Sequence, residues 1–310
     1  MKQRIVLALG GNALGTDLEG QMKAVQSTAG IIADLAAAGH ELVITHGNGP
    51  QVGMIHQAFE AASATAAHSP VLPMSVCVAL SQGYIGYDLQ NALHEALEKR
   101  GVDRTVVSMV TQVRVCADEP AFTHPNKPIG SFMDEKAAQA LQRKGVNVAE
   151  DAGRGWRRVV ASPAPRQIIE LDAIKTLLNA GHIPVTVGGG GIPVINVDGH
   201  LKGANAVIDK DLASAVLARD LDADVLIILT AVEKVAINFQ TDNPQWLSRI
   251  TPQQARGWMD EGQFAPGSML PKVQAAVDFA ESRPGRRAII TLLSNARQAI
   301  EGLTGTVISL

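Results

Sequence analysis

The sequence predicts an α/β sandwich built on a mainly parallel sheet, with an inserted lobe protruding from it. Three observations carry that prediction: short continuous apolar runs, segments of helical period between them, and a proline-rich stretch that interrupts the alternation. Residues 4–9 form a β-rich apolar run, after which Met22, Val25, Ala29, Ile32 and Ala36 recur at helical spacing. Strand then helix is the first unit. Residues 42–45, 105–110, 183–187 and 225–229 are further runs, each far enough from the next for a helical crossover. Continuous apolar strands of this kind belong to a parallel sheet buried on both faces. A helix over about 272–281 and strands at 288–291 and 306–308 complete the pattern.

From 111 to 166 the rhythm breaks. Pro120, Pro125, Pro128, Pro163 and Pro165 punctuate this stretch, around a short helix near 134–144 and a strand candidate at 156–160. At about 150 residues per domain the length allows two domains or one large one with an insertion, and the reading is a single domain over 1–310 with 111–166 inserted as a lobe. Residues 193–202 are the second interruption. Asp198 and Gly199 supply turn chemistry between Ile195, Val197 and Leu201, which predicts a β-hairpin projecting from the sheet.

Composition removes several function classes. Apolar residues make up 46% of the chain and charged ones 18%, which argues against disordered, collagen-like and coiled-coil chains. The net charge is −3, and the aromatics are six Phe, three Trp and two Tyr. A nucleic-acid binder needs a basic stripe or a stacking platform, so no nucleic-acid partner is expected. Cys77 and Cys116 stand outside any CxxC or Cys/His cluster, which fits a reducing cytoplasm. The apolar run after Lys2 and Arg4 stops at Gly10, shorter than a secretory signal requires. No apolar stretch approaches the ~18 residues of a membrane span. A cytoplasmic protein without a membrane partner is expected.

Three of the predicted strands run directly into glycine, at Gly10-Gly11-Asn12, at Gly47-Asn48-Gly49-Pro50 and at 188–191, which includes Gly189, Gly190 and Gly191. Ligands of open α/β sheets bind beyond the carboxyl ends of the strands, where three such turns can line one site. Glycine lets amide groups approach phosphate oxygens, and a following helix adds the positive end of its dipole. A phosphorylated ligand is expected. One glycine turn alone is equally well explained by tight packing; three in equivalent positions are not. Neither GxGxxG nor GxxxxGK[ST] occurs.

Lysines supply the second argument, because phosphoryl transfer depends on positioning and on charge set against the migrating group. Lys272 follows Pro271, a favourable first helical residue, so it falls in the first turn of a predicted helix, where a cation opposes the macrodipole. An anionic partner resolves that conflict. Lys210 opens the helix that carries Leu212, Val216, Leu217 and Leu221, and the same reasoning applies. A solvated lysine with Asp209 or Asp211 as an ordinary N-cap explains it too. Lys127, between Asn126 and Pro128, lies on a stiffened loop, where an exposed surface lysine is the plainer account.

His40, His46, His56, His68, His94, His124, His182 and His200 form no HExxH or facial-triad pattern, so no metal held by the protein alone is expected. No GxSxG elbow or cysteine-nucleophile signature appears. A substrate that arrives as an oxyanion needs no proton removed before it attacks phosphorus, so lysines and amides suffice. This favours acyl phosphate chemistry.

Between 7 and 272 the runs LALGGNAL, HGNGPQVG, KPIG, EDAGRGWRRVV, SPAP, GGGGIPV, AVIDKDLAS, DADVLIILT and FAPGSMLPK follow one another, and the chain closes on GTVIS. In these residues and this order the sequence resembles carbamate kinase. The resemblance implies the three-layer α/β/α sandwich of the amino acid kinase superfamily and a homodimer. It also implies reversible phosphoryl transfer between ATP and carbamate, giving ADP and carbamoyl phosphate, with Mg²⁺ and no organic cofactor. By the same resemblance Lys127 reaches the transferring phosphate from the mobile lobe, Lys210 and Lys272 contact the nucleotide phosphates, and Asp211 orients those lysines. Asn12, Gly10 and Gly11, with Gly47, Asn48 and Gly49, bind the carbamate end and the transferred group. Gly189, Gly190 and Gly191, with Gly267, Ser268 and Met269, lie near the crevice and the nucleotide.

The chain departs from the family pattern in three places. The stretch between Leu14 and Met22 is shorter than in many members, Ala164 stands where SPKP has lysine, and Ala231-Val232-Glu233 replaces the commoner Gly-Val-Asp. Two alternatives compete: another acyl phosphate kinase of the superfamily, and a catalytically silent paralogue that senses carbamoyl phosphate or ATP. Asn12 and the KPIG lobe oppose the first. Retention of Lys127, Lys210, Asp211 and Lys272 opposes the second.

Overall fold

The computed structural model describes all residues except 1, 12, 13, 15–17, 66, 67, 152, 153 and 240. The chain begins with β1 (Arg4–Leu9), α1 (Leu18–Ala37), β2 (Glu41–His46), α2 (Gln51–Ser63), α3 (Met74–Glu98) and β3 (Val106–Ser108). It then leaves the sheet through β4 (Gln112–Arg114), β5 (Lys127–Met133), α4 (Glu135–Gln142), β6 (Val148–Glu150), β7 (Trp156–Val160) and β8 (Gln167–Ile168). Next come α5 (Leu171–Asn179), β9 (Ile183–Val185), β10 (Ile192–Val197), β11 (His200–Gly203), α6 (Lys210–Asp220) and β12 (Val225–Thr230). The final third holds β13 (Val235–Ile237), β14 (Gln245–Leu247), β15 (Arg249–Ile250), α7 (Pro252–Asp260), α8 (Met269–Glu281), β16 (Arg287–Leu292), α9 (Ala296–Ile300) and β17 (Thr306–Ser309).

The central sheet has the order β15-β17-β16-β12-β1-β2-β9-β3, and every pairing in it is parallel except β16 with β17. The inner strands β1, β2, β9, β12 and β16 bury both faces, which is why the runs read as unbroken apolar letters. Ile5, Leu7 and Leu9 pack with Val25, Ile32 and Ile85 of α1 and α3, whereas Val6 and Ala8 pack with Leu217, Val273 and Phe279 of α6 and α8. The period of two thus divides one core into two, and the molecule is a three-layer α/β/α sandwich.

Among the described residues three smaller sheets stand apart, one of them the antiparallel β13–β14 ribbon. The β10–β11 hairpin turns at Asp198 and Gly199, both at positive φ (51° and 84°), and pairs with β4 and β8 in a four-stranded sheet. Residues 127–160 form a three-stranded sheet, β5-β7-β6, with α4. Lys127 is therefore the first residue of a strand, not part of a loop: Pro128 occupies the start of β5, where its missing N–H is tolerated.

Other differences have local causes. The predicted strand at 105–110 is only Val106–Ser108, because the backbone N–H of Thr111 is taken by the Gln82 side chain. That at 183–187 stops at Val185, and Val187 turns left-handed at φ 53°. Helix α8 begins at Met269, so Pro271 is its third residue and Lys272 its fourth, not the first and second. Proline is still within the first turn, where no intrahelical N–H bond is lost.

The lobe is seated on α2 by a backbone contact that needs two glycines. A Cβ on Gly53 would lie 2.2 Å from the Cα of Gly130, which itself has φ +71°. Gly53→Val forces α2 and β5 apart; overpacking of this kind costs about 1–3 kcal/mol. We expect a lowered Tm and faster proteolysis within 111–166, measured by thermal unfolding and limited digestion. Wild-type values in both would show that the contact is not required.

Candidate active site

The first turn of α6 organises the charged centre. Asp209 is its N-cap: one carboxylate oxygen accepts the Asp211 backbone N–H at 2.9 Å, and the other accepts Lys127 Nζ at 2.5 Å. Asp211, 2% exposed, accepts Lys210 on Oδ1 and Lys272 Nζ on Oδ2 at 2.8 Å. The helices reach this point together because small faces, Ala213 and Ala218 of α6 and Ala275, Ala276 and Ala280 of α8, share one core. Each lysine lies in the first turn of its helix, where a cation is unfavourable. Asp211 supplies the opposing charge.

Burial works against charge here, and the outcome differs by residue. Burial raises the Asp211 carboxyl, but the ammonium groups of Lys210 and Lys272 outweigh it and hold the group far below the usual carboxylate range. Burial lowers Lys210, and repulsion from Lys272 adds to this, against the attraction of Asp211. Three lysines against two aspartates leave the centre one positive charge in excess.

A small cavity of about 140 Å³ adjoins it, lined by Gly11, Gly47, Asn48, Gly49, Gly189, Lys127 and Lys210. A Cβ on Gly47 would sit 3.7 Å from Cδ of Lys210, so the lysine stem lies along this turn. Buried polar groups support the turns from behind. Asn48 donates to Ser81 Oγ (3.2 Å), and Gln82 donates to the carbonyls of Gly188 (2.9 Å) and Thr111 (3.1 Å). His46, 1% exposed, has Nδ1 2.7 Å from the Gly47 carbonyl, so Nδ1 carries the proton and Nε2 faces Gly188. Burial, followed by the charge of Lys210, lowers its pKa to about 4 despite the Gly47 bond.

A second cavity, about 670 Å³, opens beyond Lys272 and is lined by Thr230, Ala231, Val232, Ala236, Gln263, Phe264, Ser268 and Met269 among others. Lys210 borders the small cavity and Lys272 the large one, and Asp211 joins them.

The remaining candidates are placed as follows. Gly190 and Gly191 serve close packing: a Cβ would meet Ile208 O at 2.3 Å and Val113 Cγ2 at 2.1 Å. Gly10 is pressed on Leu229 O and borders a different 290 Å³ cavity with Ser27 and Leu293. Gly267 is exposed, beside Ser268 at the large cavity. Asn12 lies outside the described residues. Of the departures, Ala231 and Val232 line the large cavity, whereas Glu233 accepts Thr304 Oγ1 at 2.6 Å. Ala164 borders a cavity on the outer side of α6 and α8, with Arg219 and Asp278. Asp209, Ser81 and Gln82 were not among the candidates; only Asp209, inside the run IDKD, had a signal in the sequence.

Comparison with known proteins gives the family of the chain. The model of the amino acid kinase family matches residues 3–291. The chain is 65% identical over 308 residues to the carbamate kinase-like protein YqeA of Escherichia coli K12, covering 99% of each. It is 49% identical to a carbamate kinase of Clostridium perfringens, over 98% of this chain and 99% of the relative. A solved carbamate kinase of Giardia lamblia bound to AMP-PNP superposes with a TM-score of 0.90 at 40% identity, over 99% of this chain and 98% of the other.

The buried imidazole makes stability depend on pH. Because its folded pKa, about 4, lies below its ordinary 6.5, the unfolded chain binds more protons between those values. Its contribution is complete above pH 6.5 and is lost as pH falls toward 4, a change of about 3 kcal/mol. Urea unfolding across this range should show that slope, and His46→Gln should flatten it. An equal slope in the variant would assign the dependence elsewhere.

Proposed function

The chain belongs to the amino acid kinase family, and from that membership and its carbamate kinase relatives we infer that it is a carbamate kinase. It transfers a phosphoryl group reversibly between ATP and carbamate, giving ADP and carbamoyl phosphate. The observation that carries the reading is the convergence of Lys210 and Lys272 on Asp211 where the small glycine-lined cavity meets the large one.

In this reading the nucleotide occupies the large cavity with its phosphates at Lys272 and Lys210, and the carbamate end sits against the turns of Gly11 and Gly47 to Gly49. Asp211 holds both lysines in register, so their charge needs no reorganisation as negative charge shifts onto the leaving oxygen. Lys127 exchanges Asp209 for the travelling phosphoryl group and brings the lobe, residues 111–166, with it. Carbamate attacks as an oxyanion and requires no general base. His46, neutral above pH 4, keeps the Gly47 turn in place.

Magnesium fits as the companion of the nucleotide. A hard cation of this size binds phosphate oxygens and keeps several waters, and since the oxygens of Asp209 and Asp211 are taken by Lys127, Lys210, Lys272 and the Asp211 N–H, the phosphates and water would hold it. When bound it neutralises phosphate charge. The exposed apolar stripe Val76, Leu80 and Tyr87 on α3 supports the homodimer. Cys77 and Cys116 are free thiols, which supports a cytoplasmic location; no helix among the described residues is long and apolar enough to cross a membrane.

Purified protein should form ATP from ADP and carbamoyl phosphate; failure there, with success on another acyl phosphate, would transfer the assignment to that acceptor. Lys127→Ala should lower turnover by about 10²-fold or more while leaving ADP affinity near wild type. Equal losses in both would remove Lys127 from the transfer step. Lys272→Ala should weaken ADP binding and also slow turnover by about 10²-fold. Unchanged kinetics would place it outside the site.

A further inference from the structure

Two aromatic rings stand half in water at the rim of the large cavity, Phe239 at 55% and Trp246 at 52% exposure. Nothing in the packing of the core requires them there. Phe239 lies two residues beyond β13, and Trp246 is the middle residue of β14, its antiparallel partner. Directly across the ribbon from Trp246 is Ala236, which lines the same cavity, so the indole borders open space above a small side chain. The two rings meet edge to face, with centroids 6.0 Å apart and planes at 85°. Such a contact uses one face of one ring, restrains the other, and leaves flat apolar surface uncovered. Lys272 lies at the inner end of the same cavity, which at about 670 Å³ is within the size range of small-molecule sites.

From this juxtaposition we propose that Trp246, steadied by Phe239, is the stacking wall for the base of the bound nucleotide. The inference rests on the large cavity being the nucleotide site and names the residue that grips the end farthest from the chemistry. With phosphates at Lys272, the base points outward along the cavity to the ribbon. Any purine has a face to offer an indole, and removal of one stacked ring weakens binding by about tenfold. The contact is the same before and after transfer, so its loss falls on KM more than on kcat.

The test uses ADP as the probe on the whole enzyme, with Trp246→Ala and Trp246→Phe. Trp246→Ala should raise KM for ADP and the Kd from equilibrium dialysis about tenfold, with the larger share of the loss in kcat/KM carried by KM. Trp246→Phe should restore most of it. ADP should quench tryptophan emission in the wild type and much less in Trp246→Ala, although Trp156 and Trp258 remain. Wild-type KM and Kd in Trp246→Ala, with the ADP-dependent quench intact, would overturn the proposal. If the wild type forms no ATP from any acyl phosphate yet ADP still quenches Trp246, the assigned reaction fails and the stacking wall stands.

Discussion

Asp211 accepts Lys210 on one oxygen and Lys272 on the other while almost out of water, and this pairing governs what the surrounding elements must do. Two ammonium groups near the positive ends of two helices repel each other and oppose both dipoles. A carboxylate between them relieves both conflicts, but only if α6 and α8 begin at the same point in space. The small side chains along both helices make that approach possible. A buried ion cluster of this kind is poor economy for stability alone, since desolvation consumes much of the attraction. In the proposed reaction its value lies in charge held ready for an anion.

The glycine turns face a different constraint. Backbone N–H groups can surround a phosphoryl group only if no side chain intervenes, yet a chain of bare glycines has little reason to hold one shape. Here Gln82, Ser81 and His46 take on that task from the rear, tying the Gly188 carbonyl, the Asn48 side chain and the Gly47 carbonyl to α3 and β2. Because these groups are buried, each hydrogen bond is costly to leave unmade, and that makes the turns specific. The lobe is tied in two ways, by the Gly53–Gly130 backbone contact and by Lys127 on Asp209. Only the ion pair can be exchanged for a ligand without breaking packing.

Legibility followed periodicity. Strands buried on both faces show as unbroken apolar runs, so β1, β2, β12, β16 and β17 were recognisable to within a residue or two. The strand starting at Lys127 was not, because KPIG has neither an apolar run nor clean alternation, and its partner β7 lies some thirty residues on. Pro271 misled by two positions, since a proline is tolerated anywhere in the first turn. Among the glycines, the letters did not separate those that line the cavity, such as Gly47 and Gly189, from Gly190 and Gly191, which accommodate Ile208 and Val113. Both uses demand a missing Cβ.

The sequence by itself determined the alternation of strand and helix and the three strand-end turns, because each is written in local order and spacing; it also named four of the five charged residues that meet at the first turn of α6, through the motifs that hold them. Which aspartate holds which lysine was decided only in three dimensions. Lys127 meets Asp209 across 82 positions and Lys272 meets Asp211 across 61. So were the rear supports at Ser81 and Gln82 and the cavity that Trp246 borders. Such pairings depend on where separate helices and strands come to rest, and packing between distant segments leaves no period in the chain.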